Sequence, residues 1–176
     1  AAIINRLDRP VSGLVLIAKN KSAAAKYSTL MQKEGGFNKQ YEALICGKLS
    51  EPKGTFVDYL KKDGRTNTSA VVPSDAATND KEAKLSKLEY EVISYDEVKD
   101  ITHVRIHLIT GRHHQIRVQF ASRRHPLVGD YKYATADCGM DNAVKAVALK
   151  RNQIALCAVS LTVDNKTYSV APEFLL

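Results

Sequence analysis

Between residues 84 and 110 apolar and polar side chains alternate over two long stretches. Val104, Ile106 and Leu108 interleave with His103, Arg105 and His107, the period of two that a half-buried strand requires. KLSKLEYEVISY (84–95) precedes it, and the polar residues 96–100 between the two predict an antiparallel hairpin. KQYEALICGKL (39–49) predicts a strand with Tyr41, Ala43 and Ile45 on one side and Glu42 and Leu44 on the other. GLVLIA (13–18) is a short apolar run that predicts a buried strand. QIALCAVSLTV (153–163) predicts another, with a return over 166–172 after an Asp164-Asn165 turn. Asp63-Gly64 marks a hairpin turn within 61–68, and the polar residues 71–83 read as a loop.

Two segments change period. In 22–33, Ser22 is the expected N-cap, alanines favour helix and Gly35-Gly36 stops it. In 111–130, Ile116, Phe120 and Ala121 have helical spacing and Pro126 marks the end. Residues 134–150 are irregular, with room for a short helix. Strands outnumber helices, and neighbouring strands read as hairpins. The prediction is an α+β fold with a mostly antiparallel mixed sheet and flanking helices, not a βαβ repeat.

Length and composition narrow the class. A chain of 176 residues with 44% apolar and 26% charged residues can bury a real core as a single domain 1–176, or as two closely joined lobes. No apolar run is long enough to span a bilayer and no signal-peptide pattern is present, so no membrane partner is expected. Cys46, Cys138 and Cys157 are odd in number and lack C-x-x-C spacing, which argues against a disulfide framework or a zinc site. A reducing, cytoplasmic location and a monomer are the corresponding expectations. The opening Ala-Ala-Ile-Ile, without an initiator Met, is expected to belong to a longer chain. Lys and Arg number 26 against 19 acids, a net charge of +7 that favours a polyanionic partner.

Charge then singles out residues. Asp8 lies between Arg6 and Arg9. Either it makes a salt bridge at a loop, or it is an acid held ionised as a nucleophile, base or electrostatic partner. Tyr41 is either core or catalyst. On a continuous helix His113, Arg117 and Arg124 form one stripe, in a segment that also holds Arg112, Arg123 and Lys132, with Asp130 its only acid. Such a stripe serves either phosphate contacts or a solvated face. His113-His114 invites a metal, but helical neighbours point apart and no carboxylate or cysteine stands at ligand spacing, so none is expected. These residues by themselves describe a basic α+β domain suited to RNA.

Three segments in order carry a resemblance. NRLDRPVSGLVLIAK (5–19), NKQYEAL (38–44) and TGRHHQIRVQFASRRHPLVGDYKY (110–133) resemble the successive motifs of the RluA-type pseudouridine synthases. ALCAVSL (155–161) resembles the strand that closes that family's pocket. The resemblance implies isomerisation of uridine to its C-glycoside in structured RNA, ribosomal or transfer, with neither metal nor organic cofactor. It implies that Asp8 is the reactive carboxylate, paired with Arg117, and that Tyr41 lies against the uracil, able to take the C5 proton. Arg6 would help displace the target nucleotide, and Leu156 would line the pocket. Arg9, Arg112, His114 and Gln115 are the further substrate-binding candidates.

The chain departs from the family pattern at three places. Asn5 stands where His is usual, Cys157 interrupts the usual L-H-A, and His113 replaces a small or hydroxylated residue. The family's leading strand and K-P-x-G turn do not precede Ala1, so the sheet is expected to lack its N-terminal strand. The alternative reading is a non-catalytic RNA-binding module of the same fold. A glycosidase would need a second acid near Asp8, and the neighbouring sequence offers none.

Overall fold

In the computed structural model, which describes residues 1–33 and 36–174, the chain enters through three two-residue strands. These are β1 (Ala2–Ile3), β2 (Ser12–Gly13) and β3 (Ile17–Ala18); β1 pairs with β3, while β2 runs parallel to a later strand. Helix α1 (Lys21–Gln32) follows. Next come β4 (Asn38–Cys46), β5 (Lys53–Asp63), β6 (Thr68–Val72), the one-turn α2 (Ser74–Ala77), β7 (Lys84–Asp96) and β8 (Ile101–Leu108). Helices α3 (Gln115–Ala121) and α4 (Met140–Ala146) precede β9 (Leu156–Val163) and β10 (Lys166–Ser169).

The main sheet has the order β10-β9-β4-β8-β7-β5-β6, with every neighbouring pair antiparallel, and β2 joins it parallel to β9. This is the α+β, mostly antiparallel mixed sheet that the strand pattern predicts. No described helix is long and apolar enough to cross a membrane.

The hairpins follow local chemistry. β7 and β8 pair from Leu88↔Leu108 to Asp96↔Ile101, with a bulge between Val92 and Ser94. Asp164 and Asn165 both take positive φ, 49° and 59°, as a tight two-residue hairpin requires. β4 has an imperfect alternation because both its faces are covered. Tyr41, Ala43 and Ile45 enter the main core, whereas Leu44 and Cys46 enter a second cluster under α4. Ile116 and Phe120 of α3 close the main core, with Phe120 edge-on to Phe56 at 5.1 Å and to Tyr90 at 5.9 Å.

Several expectations are corrected. Residues 13–18 are not one buried strand: Leu14, Leu16 and Ala18 pack inward, while Val15 and Ile17 are exposed. Gly13, at φ +120°, breaks the run where β2 meets β9, because a Cβ there would lie 2.5 Å from the Ala158 backbone. The cap of α1 is Asn20, not Ser22: Asn20 Oδ1 accepts the Ala23 N–H at 2.8 Å. The stop at Gly35 lies outside the described residues. β5 went unforeseen because Asp58 occupies the position between the buried Phe56 and Leu60. That inward acid is satisfied by Gln119 at 2.7 Å and by Arg123 at 2.9 and 3.1 Å, which no local pattern announces. Within 71–83, β6 takes the first two residues and α2 another four.

The largest correction concerns 111–130. Only Gln115–Ala121 is helical, and Gln115 through Phe120 are all buried. His113 precedes the helix, and Arg124, at φ +66°, follows it. The predicted stripe therefore does not exist, and α3 is a core helix rather than a basic face for phosphates.

Candidate active site

Asp8 stands at the head of a turn closed by a Val11 N–H to Asp8 C=O bond of 2.9 Å. Leu7 and Val11 pack against the main core on either side. The buried Asn5 clamps the segment: its amide donates to the Leu14 carbonyl at 3.1 Å, and its Oδ1 accepts the Leu16 N–H at 2.6 Å. Residue 5 thus serves the loop as a bracket, which accounts for an amide there.

From the far side of the site comes Arg117 on α3, 5% exposed. Its Nε and Nη2 donate to Asp130 at 2.7 and 2.8 Å, and its Nη1 donates to Asp8 Oδ2 at 3.2 Å. Asp130 is 1% exposed, against 30% for the Asp8 side chain. The guanidinium is therefore anchored by one acid and presented to the other. Burial opposes its charge, but Asp130 and then Asp8 more than offset this and raise its pKa. Gly129 makes the approach of Asp130 possible. Its φ is +87°, and a Cβ would run into the Gln153 carbonyl oxygen.

Asp8, Tyr41 and Arg117 line one cleft of about 820 Å³. Arg6, Arg112, His114, Gln115 and Leu156 line it too, whereas Arg9 is exposed and outside it. Asp8 is the only carboxylate among the described lining residues. Arg6, Lys33, Lys39, Lys87, Arg112 and Arg117 surround it with cations. The three lysines were not foreseen as site residues. Lys39 had a usable signal, because residues 39 and 41 of one strand share a face. Burial lowers its ammonium pKa.

Burial, and then the nearby Asp8 charge, push the Tyr41 phenol up to about 12, so at neutral pH it carries its proton. Gln115 turns its bonds inward. It accepts from the Thr110 hydroxyl and the Arg112 N–H at 2.8 and 3.0 Å, and donates to Lys87 C=O and Gln119 at 3.1 and 3.0 Å. It shapes the loop at the cleft mouth, and its polar atoms are taken. Arg112 reaches back to the Leu85 carbonyl at 3.1 Å.

His113 and His114 do not point apart. Because neither is inside α3, their rings stack at 3.8 Å. Among the described residues no three His, Cys, Asp or Glu gather as a metal site. His114 is drawn down to about 4, first by burial and then by the Arg117 charge, with Asp8 opposing. The sign is clear: a base depressed on folding favours the fold above its ordinary value of 6.5 and loses that contribution as pH falls toward 4. Urea midpoints should therefore drop between pH 7 and pH 5, and less so in His114→Phe. Equal acid sensitivity of the two proteins would refute this assignment.

Comparison with known proteins identifies the family. The profile of the RNA pseudouridylate synthase family matches residues 1–122. The ribosomal large subunit pseudouridine synthase D of Blochmanniella floridana is 36% identical over 135 residues, which cover 76% of this chain and 38% of the relative. The protein of the same name from Vibrio vulnificus is 30% identical over 177 residues, covering 99% of this chain and 51% of the relative. Among solved structures, human RNA pseudouridylate synthase domain containing 1 superimposes with a TM-score of 0.76 at 25% identity, covering 98% of this chain and 69% of that one. The chain thus spans about half or less of the length of these curated relatives. With the motifs in order, their side chains gathered in one cleft and the family profile matched over more than half its length, the chain belongs to the RluA-type RNA pseudouridylate synthase family.

Proposed function

We propose that this chain, as part of its full-length protein, converts a uridine in structured RNA to pseudouridine, with Asp8 as the ionised reactive group. One observation carries the reading: Asp8, partly exposed and held by a buried arginine, is the one carboxylate among the described residues of a cleft that also presents six cationic side chains. The cleft volume lies within the roughly 300–1,000 Å³ of small-molecule sites, enough for an everted nucleotide. Extrusion costs on the order of a few kcal/mol, which contacts from Arg6, Lys33, Lys87 and Arg112 to the RNA backbone offset.

The reaction breaks N1–C1′, turns the freed uracil and joins C5 to C1′, with loss of the C5 proton and gain of one at N1. Asp8 either attacks C1′ or removes a proton from C2′, and both need the anion, with which Arg117 Nη1 pairs at 3.2 Å. Leu156 and the Tyr41 ring bound the space for the turning base. Tyr41 holds its proton at neutral pH, so it is not a resting base. The Asp8 carboxylate, free again once C5–C1′ has formed, is the ionised acceptor in the cleft for the C5 proton. The Tyr41 phenol takes it only after giving up its own proton. The names of the relatives favour ribosomal over transfer RNA as substrate, in a reducing, cytoplasmic compartment that suits three free cysteines.

The test is tritium release from RNA labelled at uridine C5, using the full-length protein. Release that depends on Asp8 supports the isomerase, and binding without release assigns a non-catalytic RNA-binding module instead. RNA association should fall steeply with salt, by about 10-fold or more between 50 and 200 mM, because phosphates release counterions on contact. A flat salt response would refute the cationic cleft as the RNA surface.

A further inference from the structure

We propose that His114 is a positioning residue for Asp8, held by Tyr133 as the neutral tautomer whose Nε2–H faces the carboxylate. The inference rests on the reading of Asp8 as the reacting acid.

The argument starts at Tyr133. Its oxygen accepts the Ser69 N–H at 2.9 Å. The phenol has one proton to give, and His114 Nδ1 lies 2.7 Å away. A ring nitrogen that accepts there leaves the imidazole proton on Nε2. That nitrogen is 3.7 Å from Asp8 Oδ2, a gap that closes with a small movement when substrate fills the cleft. Arg117 Nη1 reaches the same oxygen at 3.2 Å. Two donors thus converge on Oδ2, and Oδ1 is left to face the ribose.

The surroundings are built to hold the ring. His114 sits at φ 53°, ψ 24°, a left-handed conformation uncommon outside glycine, just ahead of α3. His113 stacks on it and is itself tied to Ser69 Oγ at 2.9 Å and Asn67 at 3.2 Å. The charged and titratable groups facing His114 are Asp8, Arg117, His113, Lys132 and Tyr133. Burial first, and then the Arg117 charge, keep the imidazole neutral. Once the 3.7 Å gap closes, it donates to Asp8 without adding a second full charge, which would hold the carboxylate back from C1′ or C2′.

The experiment has two readouts on the full-length protein. Imidazole ¹⁵N NMR should show the Nε2–H tautomer for His114, unchanged from pH 6 to 8, and Tyr133→Phe should bring in the Nδ1–H form. In turnover, His114→Phe should lower kcat by about 10- to 100-fold with KM for RNA nearly unchanged. His114→Gln, whose amide can donate in place of Nε2, should recover part of that loss. Should His114→Phe fail to fold, Tyr133→Phe is expected to show a smaller kcat loss, again at constant KM. An Nδ1–H tautomer in the wild type, or wild-type kcat in a folded His114→Phe, overturns the proposal. A wild type that shows the Nε2–H tautomer but releases no tritium from any RNA overturns the isomerase reading instead, and the positioning role with it.

Discussion

Asp8→Asn is expected to lower tritium release from C5-labelled RNA by on the order of 10³-fold or more, while RNA affinity stays within about twofold of wild type. The amide has the shape of the carboxylate but neither its charge nor its basicity, so it can neither attack C1′ nor take a proton from C2′. Affinity is expected to be spared because the proposed RNA contacts lie on the cations around Asp8, and removing one negative charge from among them does not weaken attraction to phosphate. The fold is spared as well. Asp8 is 30% exposed, and Arg117 keeps both its bonds to Asp130 when Asp8 is neutralised. Turnover and binding, measured on the same preparation, separate the two effects. Retention of more than a few per cent of turnover would remove Asp8 from the chemistry.

Asp130→Ala is expected to act in the opposite way, on stability first. It strands the Arg117 guanidinium at 5% exposure with Nε and Nη2 unpaired. Breaking a buried pair from one side costs about 3–5 kcal/mol, because the remaining charge is neither solvated nor matched. Asp130 can be missed as a functional residue because it never enters the cleft. It holds Arg117 by two bonds, so that the third points at Asp8. Asp130→Asn, whose amide oxygen can still accept one of those bonds, should fall between wild type and Asp130→Ala. Urea unfolding at pH 7 measures the cost, and turnover of the folded fraction measures the loss of aim. An Asp130→Ala protein with the wild-type midpoint would show that the pair contributes nothing to the fold.

The hairpins were readable locally because their signals are local. The alternation in 101–108 puts Val104, Ile106 and Leu108 under the sheet, and Asp164-Asn165 makes the turn its residue types favour. The family motifs are local strings too, and they name Asp8, Tyr41 and Arg117 without any geometry. The segment 111–130 was misread for a physical reason. Its arginines suit a solvated helix, but Arg117 is buried in an ion pair with Asp130, thirteen positions later, and Arg123 is half-buried in one with Asp58, sixty-five earlier. A charge that is paired from afar carries the same local signature as one left wholly in water. The inward bonds of Gln115 are equally hidden from a local reading, since all four are made across three separate elements.

What the sequence by itself determined is the α+β class, the strand and turn positions that depend on neighbours in the chain, and the family. The tertiary structure alone decided which charges are buried and which are offered. It turns α3 inward, excludes Arg9 from the cleft, brings in Lys33, Lys39 and Lys87, and stacks His113 on His114. The reason is that side-chain charge, desolvation and hydrogen-bond direction are set by atoms within a few ångströms in space. In this fold those atoms come from loops, strands and helices far apart in the chain, as Asp8 and Arg117 are, 109 residues apart.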